Sequence, residues 1–76
     1  MHRIKMQKAI LVHMSKKVKE VILLLQMNGW HLDRTKGDHR IFKKKGARRA
    51  IPVPGKDNKD LAEGTYRAIL IEAGLD

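Results

Sequence analysis

Cysteine is absent from the 76 residues, which excludes a disulfide framework and any thiolate metal site. Aromatic residues are nearly absent: Trp30, Phe42 and Tyr66 are the only three. The longest apolar run, Val21 to Leu25, has five residues, against the roughly 20 that a membrane span needs. The apolar stretch Ala9 to Val12 is too short, and its surroundings too charged, for a signal-peptide core; a cytoplasmic location is expected. Acids are few, with 8 Asp and Glu against 17 Lys and Arg, a net charge of +9. A chain this short buries only about 60% of its unfolded surface, so one small domain with a marginal core is expected.

Charge is the strongest signal that is present. Between Arg34 and Arg49 stand eight basic residues (Arg34, Lys36, Arg40, Lys43, Lys44, Lys45, Arg48 and Arg49) and one acid, Asp38, giving a net of +7 within 16 residues. Such a cluster favours a polyanionic partner. A solvated hairpin whose lysines deter edge pairing would have a similar composition. A phosphate-binding surface explains better why the acids lie elsewhere. With so few aromatics to stack on bases, recognition of the backbone and shape of structured RNA is expected.

The hydrophobic pattern places this cluster on strands. Met1 to Met14 reads equally as a short strand, with Ile4, Met6, Ile10 and Val12 on one parity, or as a dispensable basic arm, and Met14-Ser15 resembles a second translation start. The domain proper is expected over residues 15–76. Ser15 is a plausible N-cap for a helix whose buried face is Val18, Val21, Ile22 and Leu25, widened by Leu24, and Asn28-Gly29 ends it. Trp30 to Lys36, His39 to Lys45 and Arg48 to Val53 read as three strands, separated by turns at Gly37-Asp38 and Gly46-Ala47. Trp30, Leu32 and Arg34 are expected on one face of the first strand. In the second, Phe42 commits its face to the core, leaving His39, Ile41 and Lys43 on the other. Pro52 and Pro54 mark the third strand as an edge. A last helix starts either at a capping box formed by Asp60 and Glu63 or at Thr65, and runs to about Ala73 with Ile69, Leu70 and Ala73 inward. The expected fold class is α+β: a two-layer α-β-β-β-α arrangement, with a three-stranded antiparallel sheet and two helices on one face.

Four histidines are present, His2, His13, His31 and His39. None shows the i, i+4 spacing of a helical metal pair, and no carboxylate cluster supports one, so neither a metal nor another cofactor is expected. His39 follows a glycine turn and opens a strand inside the basic cluster. RNA cleavage needs a base for the 2′-hydroxyl, an acid for the leaving 5′-oxygen and cations for the phosphorane. A histidine near pH 6.5 serves either proton role, and the neighbouring cations meet the third need.

The succession Gly29-Trp30, Gly37-Asp38-His39, Val53-Pro54, Asp60-Leu61, Gly64-Thr65, Ile69-Leu70 and Ala73-Gly74-Leu75 resembles the HicA family of bacterial toxins over residues 15–75. The resemblance implies a fold like that of double-stranded-RNA-binding domains, a messenger-RNA endonuclease activity, His39 as the catalytic histidine and a HicB antitoxin as partner. The family's usual Gly-Ser-His reads Gly37-Asp38-His39 here. A non-catalytic RNA-binding module of the same fold, or a basic protein-binding adaptor, are the alternatives.

Overall fold

The computed structural model describes residues 16–75. The proposed N-terminal arm and Ser15 lie outside them. The element order is α1 (Val18–Met27), β1 (His31–Lys36), β2 (His39–Lys43), β3 (Ile51–Pro54) and α2 (Glu63–Glu72). The strands form one antiparallel sheet in the order β1-β2-β3, so the α+β class and the α-β-β-β-α order are as expected.

Both helices begin without a side-chain cap, at Lys17 and Ala62. At α1 the backbone of the loop after β3 supplies the acceptors. Val18 N–H donates to the Lys59 carbonyl at 2.9 Å and Lys19 N–H to the Asp57 carbonyl at 3.1 Å, which satisfies two of the N–H groups a helix start leaves open. Both helices end in Schellman geometry. Gly29 (φ 92°) and Gly74 (φ 75°) adopt the left-handed conformation that glycine takes at least cost. Beyond them Trp30 N–H returns to the Leu25 carbonyl at 3.0 Å, and Leu75 N–H to the Leu70 carbonyl at 2.8 Å.

The core lies between the helices and one face of the sheet. Val18, Val21, Leu24 and Leu25 of α1 and Tyr66, Ile69 and Leu70 of α2 close on Phe42, Ile51 and Val53, joined by Trp30, Leu61 and Leu75. The alternation in β2 and β3 is thus the expected one. β1 differs: a bulge between Leu32 and Arg34 inserts Asp33. One extra residue reverses the parity beyond it. Leu32 pairs with Phe42 on the helix side, whereas Arg34 pairs with Ile41 on the outer face. The expected shared face of Trp30, Leu32 and Arg34 is therefore broken at Asp33. β3 also starts later than expected, at Ile51, because residues 44–50 form a loop. All six residues of β1 are exposed, so the β1–β2 hairpin stands out from the helix-covered half as an open wing.

Candidate nucleic-acid interface

Cross-strand partners share a face, so the register sorts the basic residues. His39 pairs with Lys36 on β1 and Pro54 on β3; Ile41 pairs with Arg34 and Pro52; Lys43 pairs with His31. The outer face therefore carries His31, Arg34, Lys36, His39 and Lys43 around Ile41. Ile41 is buried there although it lies outside the main core. Among the described residues no helix covers this face. His31 stands opposite Lys43, which lies four positions from His39 along β2, so the two histidines are about 13 Å apart along the ladder. That separation is too long for both to act on one phosphorus atom.

Arg40 belongs to the opposite, helix-side face, and Lys44, just beyond β2, lies on that side too. Arg40 is half-buried: its Nη2 lies 2.7 Å from Asp57 Oδ1 and donates to the Gly55 carbonyl at 3.3 Å. Lys44 lies against the C-terminus of α1, where a β-carbon at Gly29 would stand 3.3 Å from its Cε. A cation there complements the helix dipole, and α1 has no basic residue in its own last turn. Lys45, Arg48 and Arg49 sit in the exposed loop between β2 and β3, where Arg49 Nη1 is 3.6 Å from Glu72 Oε2.

Pairing further divides the outer face. Asp33, presented by the bulge, holds Arg34 at 2.7 Å and approaches Lys43 Nζ at 3.9 Å. Lys36 and His39 have no side-chain partner among the described residues, and both are exposed. Lys36 is thus an outer-face cation that no acid side chain pairs among the described residues, and it stands across the ladder from His39, beside the Gly37-Asp38 turn. Two acids just outside the cluster, Asp33 and Asp57, shape this distribution. The charge count from Arg34 to Arg49 missed both, and only an extended window with the bulge in place would have found Asp33.

The HicA toxin family model, described as the HicA toxin of bacterial toxin–antitoxin systems, matches residues 18–75, from the first residue of α1 through the C-terminus of α2. The chain belongs to the HicA family. It is thus a toxin component of a toxin–antitoxin pair, with an antitoxin as its counterpart. No curated protein matches the chain. The HicA match spans the whole hairpin wing, including His39. The three-stranded sheet with two helices on one side is consistent with the double-stranded-RNA-binding-like fold expected of HicA proteins. Among the described residues no helix is long and apolar enough to cross a membrane, and no three His, Cys, Asp or Glu side chains converge as metal ligands.

Proposed function

We propose that this HicA-family protein is an endoribonuclease that cleaves messenger RNA on the outer face of the β1–β2 hairpin, with His39 as the catalytic residue and no metal in the reaction. The observation that carries the reading is the Lys36–His39 cross-strand pair, exposed, without side-chain partners and not covered by a helix among the described residues. Lys36, Lys43 and Arg34 hold the RNA backbone, and Lys45 and Arg48 extend the track along the next loop. Arg40, Lys44 and Arg49 add to the surrounding positive field from fixed positions, which raises the local RNA concentration without direct contact to the scissile phosphate.

In the reaction His39 takes the proton of the 2′-hydroxyl as the 2′-oxygen bonds to phosphorus. The P–O5′ bond breaks with its electron pair going to the 5′-oxygen, which takes a proton from the solvent open to this face. Lys36 offsets the charge that develops on the non-bridging oxygens. The products are a 2′,3′-cyclic phosphate and a 5′-hydroxyl. His39 then returns its proton to water, so the enzyme is regenerated.

The reading extends to the cell. A HicB-like antitoxin covers the basic outer face, with acidic side chains matching its charge, and both proteins act in the cytoplasm. Incubation of the purified protein with a messenger transcript in the presence of a chelator tests the activity. Cleavage with cyclic-phosphate ends is expected. A retarded but intact transcript would replace the nuclease with a non-catalytic RNA-binding module, and neither cleavage nor retardation would leave a protein-binding adaptor.

A further inference from the structure

All three aromatic rings are sealed in the core: Trp30 is 4% exposed, Phe42 1% and Tyr66 7%. Beyond these, the only aromatic rings among the described residues are the imidazoles of His31 and His39, exposed on the outer face. A guanidinium is also planar, and that of Arg40 is held in place on the helix side while remaining partly accessible. The guanidinium of Arg40 is clamped by Asp57 at 2.7 Å and by the Gly55 carbonyl at 3.3 Å, while its side chain remains 27% exposed. It lines a cleft of about 450 Å³ at the end of the hairpin, together with Thr35, Gly37, Asp38, Gly55 and Asp57. Thr35 is the cross-strand partner of Arg40, so hydroxyl and guanidinium face the same way.

We propose that this cleft is a nucleobase subsite, with Arg40 as the stacking platform and Asp38 as the residue that selects the base. Arginine planes stack on bases as aromatic rings do, and a guanidinium already held by two acceptors loses little freedom when a base settles on it. The clamp gives Arg40 a role apart from phosphate binding, since Asp57 already meets its charge. Asp38 lines the same cleft, is exposed, and has no side-chain partner among the described residues. An ionised carboxylate only accepts hydrogen bonds, so it favours a base edge that presents donors. Guanine offers two adjacent donors, N1–H and N2–H, to the two oxygens. Adenine and cytosine offer an amino group beside an acceptor, and uracil a single imide N–H between carbonyls that repel the carboxylate. The expected order is guanine first and uracil last.

The subsite's relation to cleavage rests on the proposed function. Asp38 and Arg40 flank His39 in sequence, with His39 on the outer face and the cleft on the helix side of the same hairpin end. A strand whose phosphate lies at His39 reaches the cleft by turning over Gly37, where nothing stands within 4 Å of the position a β-carbon would take. The base flanking the scissile phosphate then enters the cleft.

Titration of the full chain with the four 3′-mononucleotides, followed by amide and Arg Nε–H NMR shifts, tests the subsite without requiring cleavage. The expected result is shifts at Thr35, Asp38 and Arg40 with guanosine monophosphate binding tightest. Arg40→Lys, which keeps the charge for Asp57 but removes the plane, should weaken binding about tenfold. Asp38→Asn should cost guanine about tenfold and level the preference among bases. Equal affinity for all four bases, shifts confined to the outer face, or an Arg40→Lys variant of unchanged affinity and intact fold would each overturn the subsite. Two further outcomes separate it from the nuclease reading. Guanine-selective shifts in a protein that cuts no RNA would sustain the subsite and end the nuclease. His39-dependent cleavage without cleft shifts would do the reverse.

Discussion

The two faces of β2 carry similar residues to opposite ends. On the helix side Phe42 is 1% exposed and stands at the centre of the core, flanked by Arg40, clamped to Asp57 and Gly55, and by Lys44, laid against the end of α1. On the outer face Ile41 is flanked by His39 and Lys43, with no helix above them among the described residues. The two basic residues on the first face support the fold; on the second, Lys36 has no side-chain partner among the described residues and is, on the proposed reading, left to a ligand. Net charge in the sequence does not distinguish these fates, because they depend on strand parity and on acids contributed by other segments.

The largest expected effect of this asymmetry is on stability. Phe42→Ala should cost about 3–5 kcal/mol, much of what a domain of this size has, and is expected to abolish cooperative unfolding at physiological temperature. Ile41→Ala, one residue away, should cost less, about 1–2 kcal/mol, because Ile41 lies outside the main core cluster. Urea melts of the two variants make the comparison, and equal losses would mean that the outer face is itself packed.

An intermediate effect concerns RNA affinity. If Lys36 and Lys43 each contact a phosphate, replacing both with alanine should reduce the slope of log affinity against log salt by about two. Replacing Lys44 and Arg49 should reduce it by less than one, since both are already engaged elsewhere. The reverse ranking would place the RNA on the helix side.

The parts of this asymmetry legible in sequence were those set by local periodicity. The α1 stripe, the inward parity of Phe42, Ile51 and Val53 and the glycine stops all follow from spacing and turn chemistry; Leu23, outside the stripe, is exposed. What spacing could not show depended on contacts distant in sequence. The Asp33 bulge moved Arg34 to the other face, since alternation assumes an unbroken ladder. The start of α1 is capped by the carbonyls of Asp57 and Lys59, which have no side-chain signature, so a search for a Ser or Asp cap did not find them. For the site, His39 was recognisable in sequence as a histidine within a basic cluster that includes Lys36, but the pairing of the two across the strands, and the clamping of Arg40 by Asp57, required the fold.

The smallest expected effect is a pH dependence away from both faces. Lys16 Nζ donates to Glu63 Oε1 at 2.7 Å, tying the segment before α1 to the start of α2. The hydrogen bond and charge of Lys16 hold the Glu63 carboxyl below its usual 4.5, and those of Glu63 raise Lys16 above its usual 10.5. A depressed acid stabilises the fold above its unfolded pKa and loses that contribution as pH falls through its folded one. A raised amine stabilises below its unfolded pKa and loses the contribution as pH climbs through its folded one. The stability difference between wild type and Lys16→Gln should therefore be small and level between about pH 4.5 and 10.5, and shrink on either side. A difference that persists undiminished at pH 2 would show that Lys16 acts through packing instead.

The central claim is that the outer face of the hairpin cleaves RNA through His39, and its most direct test is the cleavage rate of a purified transcript by wild type and by His39→Ala. His39 is exposed, so its removal should leave the melting transition within about 0.5 kcal/mol of wild type. RNA retardation should persist, because Lys36 and Lys43 remain. The cleavage rate should fall by about 10²-fold or more as proton transfer is lost. Wild-type cleavage by a folded His39→Ala protein would contradict the account.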